Sequence, residues 1–345
     1  MQQRLIAEWE PQDAVLLTWP HANTDWDYML DRVLPLYQSL VLVIAEHAKV
    51  VIAVPEEIIV DVAESLMEFE LPDDAVHLYP CPSNDTWARD HGPLTVQTES
   101  GLKMLDFTFT GWGGKFNAEL DDRITATLHG QGAFPGAALE KVELILEGGG
   151  IEVDGQGTLL TTEACLLNPN RNTGMGREDI EAVLKAQLGV RKVNWLKHGY
   201  LAGDDTDSHI DTLARLCPDN TIAYQQCDDP DDEHYQALSA MEAELKAMTD
   251  ADGKPYRLVP LPWPSPKYDD EANRLPATYA NFLIINGAVL VPTYDDDRDE
   301  EALVQVAHAF PGYQVMGIPC FELIEQHGSL HCITMQLPKG VLSAS

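Results

Sequence analysis

The 345-residue chain lacks most of the short motifs that identify common enzyme classes. It has no Gly-x-Ser-x-Gly nucleophile elbow, which argues against a serine hydrolase of the α/β-hydrolase type. The His-Glu-x-x-His motif of metalloproteases and the Pro-Cys-x-x-Cys motif of zinc deaminases are missing too. The glycine-rich stretch 111–114 fits neither the phosphate-binding loop nor the dinucleotide-binding pattern. We therefore expect no metal and no cofactor.

Positive charge is scarce, because 22 lysines and arginines face 56 aspartates and glutamates, for a formal net charge of −34. Phosphate binding requires a basic surface, so this balance excludes nucleic acid as a partner. A field of this sign attracts small cations. An acidic surface also keeps a protein in solution, and charge alone does not separate the two readings.

Long apolar runs are lacking as well, and the sequence shows none of about 18 residues that would span a bilayer. The first ten residues are too short and too charged for a secretion signal. The six cysteines show no Cys-x-x-Cys and no tight framework spacing, so we expect reduced thiols, a cytoplasmic location and no membrane partner. No Gly/Ser/Pro linker divides the chain, which predicts one α/β domain over residues 1–345.

Short strands and helices alternate along the chain, and clusters of polar residues follow the strands. The apolar periodicity predicts strands at 14–20, 50–54, 76–80, 103–110, 142–147, 157–167, 210–216 and 221–224, and a strand–turn–strand at 281–292 around Asn286-Gly287. It predicts helices at 28–47, 56–70, 177–188, 235–248 and 302–310. Five β/α blocks of about equal length are compatible with this pattern.

Cys332 lies near the end of the chain, in a β-favouring run between Gly328 and Pro338. A strand there would place Cys332 on one face with Thr334 and His331 on the other. His331 is then a poor base for the thiol, and another histidine should serve. The alternative is that Cys332 is a small buried apolar residue.

Other candidates lie in two polar stretches and at one strand end. Asp90 follows Trp87 among turn-forming residues, with a surface pair to Arg89 as the structural alternative. Glu147 ends an apolar run and precedes three glycines. His209 and Asp211 are two apart, so an extended segment would put both on one face; a solvated acidic loop is the alternative.

One cysteine, one histidine and three acids suit a guanidinium substrate. That group is planar, permanently charged and matched by carboxylates that bind it bidentately. Two acids can hold it while a thiolate attacks its carbon, and an imidazole can protonate the departing ammonia and later activate water. A third acid would orient the imidazole.

The motifs resemble the agmatine deiminases of the guanidine-modifying superfamily, in family order from Glu8 to Pro338. The matching stretches are 84–93, 146–155, 161–172, 204–211, 278–282 and 331–334. The resemblance implies a five-bladed α/β-propeller of repeated ββαβ units. It also implies that Cys332 is the nucleophile, that His209 is the general acid/base, and that Glu147 holds His209 in position. Asp90 and Asp211 would grip the guanidinium, and Trp87 would line the pocket. Two segments depart from the family pattern. Where Gly-Gly-Asn is usual before Ile-His-Cys, this chain has His327, Gly328 and Ser329 before Leu330-His331-Cys332. Where glycine is usual before the catalytic histidine, this chain has Ser208.

The expected substrate is agmatine, a dication that suits the acidic setting, which includes Asp204 and Asp205; we predict Asp205 as a substrate-binding residue. A carboxylate-bearing substrate would call for an arginine receptor, and only Arg89 and Arg171 lie inside the matched motifs. Deimination of free or peptide-terminal arginine to citrulline is the alternative, and a non-catalytic polyamine-binding protein is a second one. We expect a homo-oligomer, most simply a dimer.

Overall fold

The computed structural model describes residues 3–343, which form two compact units. Unit 1 comprises residues 3–9 and Gly149–His331. Unit 2 comprises Glu10–Gly148 and residues 332–343. Each unit is thus built from separate stretches of the chain.

Unit 2 contains a four-stranded sheet whose central strands are the predicted apolar runs. Met335–Pro338 pairs antiparallel with Gln12–Thr18, which pairs in parallel with Lys49–Val54, and this strand pairs in parallel with Val76–Pro80. The residues of the central strands are nearly all buried, as expected for parallel strands covered on both faces. The crossover to the third strand is helix Leu30–Ala45.

Together with the 3-10 turn Asp27–Met29, this crossover is a helix of 19 residues, long and apolar enough to cross a membrane by length and composition. The expectation that the chain has no such stretch is therefore wrong on that criterion. The helix contacts strand Lys49–Val54, and Val33 and Tyr37 on that side are fully buried. A helix packed on a sheet passes the same test.

Three strands of a second sheet lie in unit 2. Leu94–Thr98 and Gly101–Thr108 form an antiparallel hairpin, and Ala137–Ile145 pairs in parallel with the second hairpin strand. Helix Ile124–Gly130 lies between the paired strands in the chain.

Unit 1 repeats this order three times: an antiparallel hairpin, a helix, and a strand parallel to the second hairpin strand. The crossover helices are Arg177–Leu188, Tyr235–Ala247 and Asp299–Ala309. The strands are Ile151–Val153, Thr158–Thr162 and Lys192–Leu196; Ala214–Cys217, Thr221–Gln225 and Arg257–Leu261; and Leu283–Ile285, Ala288–Thr293 and Gln314–Pro319.

The remaining elements are short. They are the strands Gln3–Leu5, Lys267–Tyr268 and Arg274–Leu275, the helices Ile59–Met67, Ala88–His91, Gly111–Gly114, Glu163–Leu166 and Phe321–Glu325, and the 3-10 turns Glu56–Ile58, Asp121–Arg123, Gly148–Gly150 and Ile210–Thr212.

Two predicted strands are wrong at the positions that matter most. Cys332 lies in a turn, and the strand begins only at Met335. The predicted strand 210–216 is a 3-10 turn, Ile210–Thr212, followed by Ala214–Cys217. In both places the chain has local β propensity, but tertiary hydrogen bonds determine the backbone path.

Candidate active site

The turn that carries Cys332 is anchored through its backbone within unit 2. The Cys332 carbonyl accepts a hydrogen bond from the Arg89 N–H over 3.1 Å, and the residue is 4% exposed. The Arg89 guanidinium is itself buried, donating to Gln336 and lying 3.5 Å from the Met335 sulfur. Arg89 is therefore a structural residue. Both Arg89 and Asp90 are buried, so they do not form the surface pair considered as an alternative.

Asp90 follows Arg89 in helix Ala88–His91 and is buried. Its Oδ2 accepts a hydrogen bond from the indole N–H of Trp112 over 2.9 Å. The Trp112 ring packs edge-on against Trp87, with centroids 6.4 Å apart, and Trp87 packs against Trp26 at 5.7 Å. A buried carboxylate beside aromatic rings is a suitable site for a planar cation.

The sequence prediction did not find Trp112. It lies in the stretch Gly111–Gly114 and adopts a left-handed conformation with φ 56°. A tryptophan between glycines, where the chain can turn tightly, was the available signal.

Glu147 is fully buried in unit 2, beyond the end of strand Ala137–Ile145. Gly148, the first of the three glycines after Glu147, lies against the Arg89 backbone. A Cβ at this position would lie 2.2 Å from the Arg89 carbonyl oxygen. Only glycine allows that approach. Arg89 thus contacts the segments that carry Cys332 and Glu147 and is the neighbour of Asp90.

In unit 1, His209 is fully buried and its backbone N–H donates to Thr206 Oγ1 over 3.1 Å. A Cβ at Gly150 would lie 3.8 Å from the His209 Nε2 and 3.3 Å from the Cys165 sulfur. The last glycine of the run therefore leaves room beside the imidazole.

The loop before His209 holds an unusual backbone. Asp207 and Ser208 have φ of 66° and 64°, in the left-handed region that favours glycine. Asp204 Oδ2 accepts from the Ser208 N–H over 2.7 Å, and Asp207 pairs with the buried Arg171 over 2.7 Å. These contacts hold a conformation that otherwise costs about 1–3 kcal/mol per residue.

Ser208 and His327, the two residues that stand where the family usually has glycine, both lie at left-handed positions. His327 has φ 67°, and its ring Nδ1 donates to the Gly203 carbonyl over 2.8 Å, at the start of the same loop. Glycine adopts the left-handed backbone most readily, which explains why the family usually has glycine at these two positions. In this chain the two side chains adopt the same conformation, and that of His327 adds a hydrogen bond.

Asp211 does not share a strand face with His209, because residues 210–212 form a 3-10 turn. Its Oδ2 accepts from the His331 Nδ1 over 2.7 Å, and both side chains are fully buried. Burial alone raises the pKa of Asp211, but the His331 hydrogen bond and the charges of His331, His209 and Arg215 outweigh it, so that pKa lies below its usual value.

The other ring nitrogen of His331 faces Glu8, at 2.9 and 3.1 Å from the carboxylate oxygens. Arg215 is fully buried and donates to Glu8 over 2.8 Å and to Glu152 over 2.6 Å. Glu8, Glu152 and His331 lie close together, but the Arg215 guanidinium occupies the space among them, so they do not form a metal site. Sequence reasoning missed Glu8, Arg215 and Glu152, which are far apart in the chain.

The predicted site residues therefore divide between the units. Cys332, Asp90, Glu147 and Trp87 belong to unit 2, and His209, Asp211 and Asp205 to unit 1. Asp205 is half-buried in the loop before His209. Its substrate-binding role stays a prediction.

Comparison with known proteins gives one consistent result. A profile of the Porphyromonas-type peptidyl-arginine deiminase family matches residues 4–338. A Vibrio parahaemolyticus protein described as a "putative agmatine deiminase" is 35% identical over 357 residues, covering 96% of each chain.

Two solved structures are similar over their full length. One is a Cys-to-Ser variant of the C. jejuni agmatine deiminase with substrate bound, with TM-score 0.90, 39% identity, and coverage of 98% of this chain and 97% of that chain. The other, described as the "putative arginine deiminase" from Porphyromonas gingivalis, has TM-score 0.92, 50% identity, and coverage of 99% and 100%. The chain has the mixed α/β fold of these proteins.

Proposed function

The chain belongs to the Porphyromonas-type peptidyl-arginine deiminase family, and we propose that within it the protein is an agmatine deiminase, a hydrolase acting on the C–N bonds of a linear amidine. It converts agmatine and water to N-carbamoylputrescine and ammonia. Relatives at 35% and 39% identity carry that activity in their names. The observation that supports the proposal is the backbone hydrogen bond from the Arg89 N–H to the Cys332 carbonyl, because the buried carboxylate Asp90 directly follows Arg89 in the chain.

The first half-reaction needs an ionised thiol and a held guanidinium. Asp90 and Asp211 would bind the guanidinium nitrogens and keep its carbon facing the nucleophile. The Cys332 thiolate forms a C–S bond to that carbon, giving a tetrahedral adduct. His209 transfers a proton to one amino group as the C–N bond breaks, and ammonia leaves. A thiouronium remains on Cys332.

The second half-reaction reverses the proton transfer. His209 takes a proton from water as the water oxygen bonds to the thiouronium carbon. The C–S bond breaks, the sulfur leaves with the electron pair as thiolate, the remaining hydroxyl proton is lost to solvent water, and the urea group of N-carbamoylputrescine forms. Glu147 would keep His209 oriented and charged, as an orienting acid does in a triad. Trp87 would pack against the substrate.

The arginines inside the matched motifs favour agmatine over arginine. Arg89 is committed to Gln336 and Met335, and Arg171 is committed to Asp207 and the Thr206 carbonyl. Each is buried with these partners, so neither presents a guanidinium to a substrate carboxylate. Agmatine has no carboxylate, and its second positive charge suits a chain of net charge −34.

Deimination of arginine is the second candidate. It is favoured by the family name and by the 50% identity to the structure described as a "putative arginine deiminase". A non-catalytic polyamine-binding protein is a third candidate, but that function leaves the buried thiol of Cys332 unexplained.

The same membership supports finer inferences. Four sheets in residues 3–343 share one order, a hairpin followed by a helix and a parallel strand. In a fifth sheet the antiparallel partner of Gln12–Thr18 is Met335–Pro338, and a helix and a parallel strand follow Gln12–Thr18. This recurrence supports a five-bladed α/β-propeller. We further infer a cytoplasmic homo-oligomer, most simply a dimer, that needs no metal, cofactor, nucleic acid or membrane and serves putrescine and polyamine biosynthesis.

Ammonia release from agmatine, free arginine and a peptide ending in arginine tests the proposal. We expect release from agmatine at a kcat/KM at least about 100-fold above that for arginine. Ammonia release from arginine but not from agmatine would show that arginine, and not agmatine, is the substrate. Binding of agmatine without release from any of the three would favour the polyamine-binding alternative.

A further inference from the structure

We propose that His331, held by Glu8, is a positioning residue that keeps Asp211 ionised and oriented for the guanidinium. This inference rests on the proposed function, because it assigns Asp211 to the substrate. It also gives Glu8, which is far from the other site residues in the chain, a role in substrate binding.

The geometry is a chain of three side chains within unit 1. The His331 Nδ1 lies 2.7 Å from Asp211 Oδ2, and its Nε2 lies 2.9 Å from Glu8 Oε1. Asp211 and His331 are fully buried, and Glu8 keeps 19% of its side chain exposed. The backbone N–H of His331 donates to Asn281 Oδ1 over 2.9 Å, which fixes the ring from the main-chain side.

The distances to the two carboxylates favour a proton on each ring nitrogen. An ionised carboxylate only accepts hydrogen bonds, so a carboxylate oxygen and a bare imidazole nitrogen cannot lie 2.9 Å apart without a proton between them. The imidazole is more basic than a carboxyl group and takes that proton. With Nδ1 donating to Asp211, His331 is an imidazolium.

The charges around the ring support this protonation state. The Arg215 Nη2 lies 3.0 Å from the His331 Nε2. Arginine only donates, so this contact, like the charge of Arg215, opposes a proton on Nε2. Three carboxylates, Glu8, Asp211 and Glu152, face this pair of cations, and buried charges are tolerated when they are paired. His209 is the remaining cationic neighbour of Asp211. The acidic majority favours the imidazolium.

The consequence for the reaction follows from burial. A fully buried carboxyl group tends to hold its proton, and a protonated Asp211 could not grip a guanidinium bidentately. The hydrogen bond from His331 favours the ionised form and fixes one oxygen, so the plane of the carboxylate is set before substrate binds. His331 directly precedes Cys332, yet on this assignment it acts on the carboxylate and not on the thiol.

The test is Glu8→Gln, which keeps the side-chain shape and a hydrogen-bond acceptor but removes one charge. Without that charge the imidazolium is less stable and His331 loses its proton at lower pH. We expect the alkaline limb of the kcat/KM profile for agmatine to move down by about one pH unit or more. At pH 8 we expect KM to rise about tenfold. Glu140→Gln, which removes the partner of Lys103 at the surface, should leave the profile unchanged.

A second variant separates position from charge. His331→Asn retains a neutral donor near the Nδ1 position and should bind agmatine more weakly while keeping a measurable kcat. A profile and KM that coincide with wild type in both variants would overturn the proposal. A loss of thermal stability with an unchanged profile would do so too, because a purely structural contact predicts that result.

The ¹⁵N shifts of the His331 ring give a readout independent of turnover. We expect imidazolium shifts at pH 8 in wild type and neutral shifts in Glu8→Gln; neutral shifts in wild type would overturn the assignment. If wild type releases no ammonia from agmatine, the proposed function fails, and the ¹⁵N result still decides the protonation of His331.

Discussion

The N–H of Arg89 donates to the carbonyl of Cys332 over 3.1 Å, and the carbonyl of Arg89 packs against Gly148. One residue thus ties the turn that carries the nucleophile to the segment after Glu147, and Asp90 follows it directly. Backbone contacts of this kind fix the relative positions of reacting groups more closely than flexible side chains do.

Gly148→Ala tests this packing. An added Cβ would lie 2.2 Å from the Arg89 carbonyl oxygen, so the backbone must move. We expect a loss in kcat/KM of about 100-fold, in line with a misplacement of about 1 Å, and a lower melting temperature. Gly130→Ala is the matched control, since nothing lies within 4 Å of its added Cβ. Wild-type kinetics in Gly148→Ala would contradict the role given to Arg89.

Trp112→Phe tests the hydrogen bond to Asp90. The variant keeps an aromatic ring but removes the N–H that donates to Oδ2 over 2.9 Å. A hydrogen bond to a charged group contributes about 1.5–3 kcal/mol, so we expect kcat/KM for agmatine to fall about 10- to 100-fold. Trp195→Phe removes a similar bond, to Glu181, and should leave agmatine kinetics unchanged. Equal kinetics in the two variants would count against Asp90 as a substrate ligand.

Ser208 tests the strained loop before His209. With φ 64°, this position should accept glycine with little change in stability, because the hydrogen bonds of Ser208 to Asp204 and Thr162 use its backbone. Ser208→Val should lower the free energy of unfolding by about 2 kcal/mol, since a β-branched residue fits the left-handed region poorly. Chemical denaturation measures both. A valine variant as stable as the glycine variant would contradict the assigned strain.

Asp85 provides a test of pH-dependent stability. Burial, and then the nearby charge of Asp25, raise the pKa of Asp85 to about 7. The folded protein therefore binds more protons than the unfolded chain between about pH 4 and pH 7, and this group lowers stability as pH rises through that range.

Asp85→Asn should remove that loss while keeping the bonds from Trp26 and Thr86, which both go to Oδ1. We expect the variant to be more stable by about 2 kcal/mol at pH 8, with the difference shrinking towards pH 4. Thermal melts across this range measure it. A difference that grows at acid pH would reverse the assigned direction.

The sequence predicted much of the architecture because apolar periodicity determines which segments become helices and strands. Helix Arg177–Leu188 has the predicted bounds, with the acidic start that indicated it, and the strands 50–54 and 76–80 were confirmed within one residue. It also selected the buried Cys332, His209, Glu147 and Asp90, since polar residues at the ends of apolar runs were rare enough to stand out. Their joint chemistry stays a prediction.

The rest depended on contacts between residues distant in the chain. The turn at Cys332 is set by backbone bonds to Arg89 and, at His331, to Asn281, which no local pattern contains. Glu8 lies near the start of the sequence and Arg215 in its middle, and both contact His331 near its end. The prediction that His209 and Asp211 share one strand face failed because Asp211 lies in the 3-10 turn Ile210–Thr212 and not in a strand.

The most direct test is mass spectrometry of the protein quenched during turnover of agmatine. The account predicts a transient adduct of agmatine less ammonia on the peptide that carries Cys332, and no product from Cys332→Ser although it folds and binds agmatine. An adduct on any of the other five cysteines, or N-carbamoylputrescine formed by Cys332→Ser, would contradict it.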